Sequence, residues 1–124
     1  MQDRPDAEEL GAALAQFLAE HVRPAVPRDL RFQVLVAANA AGILAREAAV
    51  GDAATAAERA RVARLLGESP DDVRAAQGEL ARAVRAGELD DRWDEVVAVL
   101  RESVRAKLAV AHPGYDGFAD DGRD

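Results

Sequence analysis

The chain has 124 residues and a formal net charge of −7, from 23 acidic and 16 basic residues. That length suits a single domain, and the acidic balance argues against nucleic acid or an anionic membrane as partner. Cysteine is absent, which excludes disulfides, thiolate catalysis and cysteine-ligated zinc.

Apolar residues make up 49% of the chain, enough for a core, but 29 residues are alanine and only five are aromatic. A core built this way rests on Leu and Val, with helices lying close together over Ala. Alanine has the best intrinsic helix propensity, so composition favours an all-α protein. Fifteen arginines against the single Lys107 read as the codon bias of a GC-rich bacterial genome. The start, Met1 to Pro5, has no basic-then-apolar leader, and no apolar run approaches the roughly 20 residues that span a bilayer. The expected location is the cytoplasm.

Punctuation by Pro, Gly and capping residues predicts five helices. The first runs from about Ala7 to Arg23, opened by an Asp6/Glu9 capping box and closed by Pro24 and Pro27. Its apolar stripe is Leu10, Leu14, Phe17, Leu18 and Val22. The second, about Asp29 to Ala49, is apolar around much of its circumference and stops at Gly51. Such a helix is expected at the centre, with a close helix crossing at Gly42.

The third, about Ala56 to Leu66, follows a Thr55/Glu58 capping pattern and ends at Gly67. Ser69 and Pro70 predict the start of the fourth, which runs to about Ala86 and buries Val73, Ala76, Leu80 and Val84. The fifth spans about Asp91 to Ala111, with Trp93, Val97, Leu100, Val104 and Leu108 as its stripe. The expectation is a compact five-helix bundle over residues 3–117, followed by a short disordered acidic tail at 118–124.

Catalytic signatures are sparse. His21 and His112 form no HExxH motif or i, i+4 pair, and no glycine-rich loop between strand and helix could cradle a phosphate. Ser69 reads as a helix cap and Ser103 lacks a nucleophile context. No catalytic residue, metal site or cofactor is expected.

One polar feature stands out. Phe32, Val36, Asn39 and Ile43 share a helix face, which sets an amide in an apolar stripe continued by Arg46 and Glu47. Burying that amide unpaired would cost a few kcal/mol, so it should have a partner. Asn39 and Arg46 could form an internal network that fixes helix register, or a patch facing a ligand or partner. Arg101 and Arg105 share a face on the last helix and read as solvated, and Trp93 reads as core.

The order of several fragments resembles a small uncharacterised bacterial all-helical family. They are Arg4-Pro5 with Glu9-Leu10, Phe17-Leu18 before Pro24, Val36-Ala37-Ala38-Asn39 with Arg46-Glu47, Leu65-Leu66-Gly67, Arg85 with Gly87, and Lys107-Leu108 leading to Pro113 and Tyr115. Leu35 and His112 stand where the family pattern has arginine and asparagine. The family is encoded beside aminoglycoside-phosphotransferase-like kinases and acyl-CoA dehydrogenases. The resemblance implies a non-catalytic accessory subunit of such a kinase, one that acts on small hydroxyacyl(-CoA) substrates. Asn39, Arg46, Glu47, Lys107 and Tyr115 form the expected partner or ligand patch. A structural homodimer and an acyl-CoA-binding or other small-ligand-binding bundle are the alternatives.

Overall fold

A computed structural model describes residues 3–68 and 71–115. Ser69, Pro70 and the acidic tail expected at 118–124 lie outside the described residues. The described residues are helical, with no strand among them. Among them are four α-helices: α1 (Ala7–Phe17), α2 (Arg31–Leu66), α3 (Val73–Arg85) and α4 (Trp93–Ala111).

The expectation of five helices is thus corrected to four, because the predicted second and third are one element. The predicted break falls at Gly51, whose φ of 43° and ψ of −135° are non-helical. A positive φ of this kind favours glycine, which has no Cβ to clash. The chain kinks there and resumes helix at once. The run Asp52-Ala53-Ala54-Thr55-Ala56 is too alanine-rich to hold a loop open. Thr55 therefore caps nothing, and Glu58 is released for a different task.

The chain divides at this kink into two compact units, Met1–Gly51 and Asp52–Asp124. In the first unit the Asp6/Glu9 capping box forms as predicted. Asp6 accepts from the Glu9 N–H at 2.9 Å, and Glu9 accepts from the Asp6 N–H at 2.9 Å. Beyond α1 the chain continues through a wide turn over Leu18–Val22 and a tight one over Arg23–Ala25. The Arg23 N–H donates to the Leu18 carbonyl, five residues back, immediately before Pro24 withdraws a donor.

Helix α1 packs on α2 through small residues. A Cβ at Gly11 would stand 2.9 Å from the Ala45 Cβ and 3.1 Å from its Cα, so the close crossing is at Gly11 and not at Gly42. Among the described residues of this unit, the buried apolar ones are Ala38, Ala41 and Ala45. Leu10, Leu14 and Phe17, expected in the core, are about half exposed. The expectation that the predicted second helix, about Asp29 to Ala49, is central is corrected as well: Phe32 is 73% and Leu44 66% exposed. Close helix approach selects glycine and alanine for the contact and turns the larger side chains outward.

The second unit has a true core of Val62, Leu65, Ala76, Leu80, Ala83, Leu89, Val96 and Val99. Asp72 caps α3 through the N–H groups of Arg74 and Ala75. Arg92 anchors the start of α4 on the end of α2, donating to the carbonyls of Leu65 at 2.9 Å and Arg64 at 3.0 Å. These acceptors are helix-terminal carbonyls left without N–H partners. Helix α4 presents Val96, Val99 and Ser103 inward, one residue away from the predicted stripe. Trp93, Leu100 and Val104 are consequently exposed, and Trp93 is not a core residue.

Candidate functional site

Within the second unit, Glu58, Arg61, Gln77 and Ser103 form a polar cluster across α2, α3 and α4. The Glu58 side chain is only 12% exposed. Its Oε2 accepts from Arg61 Nη2 at 2.7 Å, Arg61 Nε at 3.1 Å and Ser103 Oγ at 2.9 Å. Its Oε1 accepts from Gln77 Nε2 at 3.1 Å. Burial pushes the Glu58 carboxyl up, but the hydrogen bonds from Arg61, Gln77 and Ser103, with the charge of Arg61, outweigh it. The group is held below the usual carboxylate range.

A stability consequence follows from that direction. A carboxylate with a depressed folded-state pKa stabilises fully above its unfolded value, about 4.3 for glutamate, and that stability is lost as pH falls through the lower folded value. Thermal melts between pH 7 and pH 3 should show wild type losing stability below about pH 4.3. Glu58→Gln, which cannot titrate, should show a shallower loss; parallel curves for the two proteins would remove Glu58 as the cause.

Glu58, Gln77 and Ser103 of this cluster also line a groove of about 490 Å³ between α3 and α4. Leu80, Ala81 and Val84 line it from α3, Leu100 and Val104 from α4. Gln77 and Ser103 both bond Glu58, so they are level, and Lys107 stands one turn beyond Ser103 on α4. Arg85 stands eight residues beyond Gln77 on α3, about 12 Å along the helix. The groove is therefore apolar in the middle, with Lys107 towards one end and Arg85 towards the other. Leu100 and Val104 remain about 44% and 43% exposed along it.

The five residues expected to form one patch fall in both units. Asn39, Arg46 and Glu47 belong to the first unit, Lys107 and Tyr115 to the second. Arg46 lines a shallow hollow of about 300 Å³ with Glu8, Ala12, Ala15, Gly42 and Ala45. Asn39 lies exposed on the Phe32–Val36–Ile43 stripe, more than 90° round α2 from the buried Ala38 and Ala45. It therefore does not act in an internal network. Lys107 joins the α3–α4 groove, whereas Tyr115 packs edge-on against His112, with ring centres 5.6 Å apart, at a separate hollow.

His21 is exposed, its ring 5.8 Å from that of Phe17. Among the described residues, no group of three His, Asp or Glu side chains is placed to hold a metal ion. One helical run, Arg28–Leu66, is long and apolar enough by length and composition to cross a membrane. Its uninterrupted uncharged portion, Phe32–Ala45, spans only about 21 Å, against a hydrocarbon core of roughly 30 Å.

Sequence reasoning missed the Glu58 cluster, although a signal was present. Glu58 precedes Val62 by four residues and Leu65 by seven, which sets a carboxylate on a buried stripe. Ser103 holds the equivalent place after Val96 and Val99 on α4.

A family model described as a domain of unknown function, DUF6285, matches residues 24–115. No curated protein and no solved structure matches the chain.

Proposed function

The chain belongs to the DUF6285 family, and we propose that it works as a non-catalytic docking subunit for an aminoglycoside-phosphotransferase-like kinase. The observation that carries docking is the α3–α4 groove, apolar along its floor and bordered by Lys107 and Arg85 in a protein of net charge −7. That combination suits an amphipathic helix of the partner. Such a helix would lay apolar residues at i, i+3 or i+4, and i+7 along Leu80, Val84, Leu100 and Val104, with acidic residues towards the two cations.

The kinase identity is supported by the sequence resemblance. In this reading the kinase supplies the nucleotide loop, base and metal ligands, and it phosphorylates a small hydroxyacyl group, carried as its CoA thioester. The helical subunit works in the cytoplasm and contributes surface in place of chemistry. The groove volume also falls within the range of small-ligand sites, which favours a bound acyl-CoA or similar anion as the second reading.

Size-exclusion chromatography of the chain mixed with the kinase encoded beside it tests the proposal. Co-elution at micromolar concentration, lost in Lys107→Glu, is the expected result. Separate elution with unaltered kinase activity would overturn it. A thermal shift with acyl-CoA in that case would transfer the groove to the second reading.

A further inference from the structure

Lys107 and Arg85, the two cations of the α3–α4 groove, are exposed and have no carboxylate partner among the described residues. In the same unit Arg59, Arg61, Arg64, Arg82 and Arg92 each meet one. The apolar floor of Leu80, Val84, Leu100 and Val104 lies between the two unpaired cations. An occupant with an apolar side chain at its centre and acids on either side is complementary to that arrangement.

The chain carries such a segment, and its exit from α4 points it towards the groove. His112, Pro113, Gly114 and Tyr115 form a tight turn, in which the Tyr115 N–H donates to the His112 carbonyl at 3.2 Å and Gly114 has a φ of 83°. Proline followed by a positive-φ glycine suits the two central positions of a type II turn. The turn brings Tyr115 to a hollow lined by Arg105, Leu108 and Ala109, so the chain has doubled back on the last turns of α4. Leu108 continues in four-residue steps into Val104 and Leu100, about 6 and 12 Å further along the helix. After Tyr115 come Asp116, Gly117, Phe118, Ala119, Asp120 and Asp121. Three extended residues cover about 10 Å, which puts Val104 and Leu100 within reach of Phe118.

We propose that residues 116–121 fold back along α4 and occupy the groove of their own chain, with Phe118 on the Leu100 and Val104 floor. Asp116 then stands beside Lys107, and Asp120 and Asp121 face Arg85. Acids bracket the phenyl ring as the cations bracket the floor. The segment presents the same chemistry as the acidic amphipathic helix of a partner, so it blocks the groove until a partner displaces it. Its short tether gives it an effective concentration on the order of millimolar, and a contact of modest strength is then enough to fill the groove. The blocking role rests on the reading of the groove as a docking site; the contact itself does not.

The absence of native cysteine allows a disulfide test on the full chain. Ala119→Cys paired with Ala81→Cys, a groove position on α3, leaves Phe118 and the Leu100 and Val104 floor intact. The control pairs Ala119→Cys with Ala98→Cys, exposed on α4 about 160° round from Leu100. Mild oxidation in dilute solution should close the first pair within one chain at least about 10-fold faster than the control, and adding Phe118→Ser should remove the difference. Equal rates, or a disulfide that joins two chains, would overturn the proposal. Titrated with the kinase, Phe118→Ser should bind at least about 5-fold more tightly than wild type, the factor expected when the segment fills the groove in about four chains of five. Unchanged or weaker binding would overturn the blocking role. A kinase that binds neither protein would reject the docking reading alone, with the disulfide rates still deciding whether the segment occupies the groove.

Discussion

Glu58→Ala lowers the melting temperature of the second unit by roughly 10–20 °C, equivalent to about 2–3 kcal/mol. The size of the effect comes from what the substitution leaves behind. Glu58 accepts four hydrogen bonds from three side chains on α2, α3 and α4. Without it the Arg61 guanidinium, only 15% exposed, keeps a 3.3 Å bond to Ser103 Oγ but loses its counter-charge. An uncompensated charge in such a position costs more than the ion pair itself contributes. Glu58→Gln should be milder, because the amide keeps an acceptor oxygen near Arg61 and Ser103. Differential scanning calorimetry compares the three proteins, and an unchanged transition in Glu58→Ala would show that the cluster is dispensable to the fold.

Gly11→Leu opens the hairpin of the first unit, at a cost of about 2–3 kcal/mol. A Cβ at Gly11 meets the Ala45 backbone as well as its side chain, with Cα at 3.1 Å and N at 3.2 Å. Backbone cannot swing aside as a flexible side chain can, so α1 must move away from α2. Gly78 is the contrasting case. It lies exposed in α3 with nothing within 4 Å of a Cβ, so Gly78→Ala should stabilise by about 1 kcal/mol through helix propensity alone. Amide hydrogen exchange separates the two: protection should fall across residues 31–50 in Gly11→Leu and rise in α3 of Gly78→Ala. Loss of protection in both would mean that propensity and contact have been misassigned.

Helix positions were legible because their signals are local. The Asp6/Glu9 box and the stop at Gly67 each depend on a few adjacent residues, whereas the predicted stop at Gly51 is a kink from which the helix resumes. The buried faces were much less legible. Gly11, Ala15, Leu18 and Val22 have the same helical spacing as the Leu10, Leu14, Phe17 set, one residue out of step. Hydrophobicity picks the larger residues, whereas close helix approach picks the smaller ones.

On α4 the choice between Val96, Val99, Ser103 and Val97, Leu100, Val104 is decided by the hydrogen bond from Ser103 to Glu58, 45 residues away. Local pattern cannot carry that information. Glu58 itself was hidden by its spacing from Thr55, which imitates a helix cap. The candidate patch fared similarly. Lys107 does line a groove, but the Leu80, Val84, Leu100 and Val104 floor beside it exists only once α3 and α4 are paired.

The docking claim rests on that floor, and calorimetric titration of the kinase-like partner into the chain tests it most directly. Wild type should bind with a negative heat-capacity change, the mark of apolar surface leaving water. Leu100→Asp, which places a charge on an exposed groove position without touching the core, should weaken binding by at least about 10-fold, or 1.4 kcal/mol. Equal affinity for the two proteins would contradict the account.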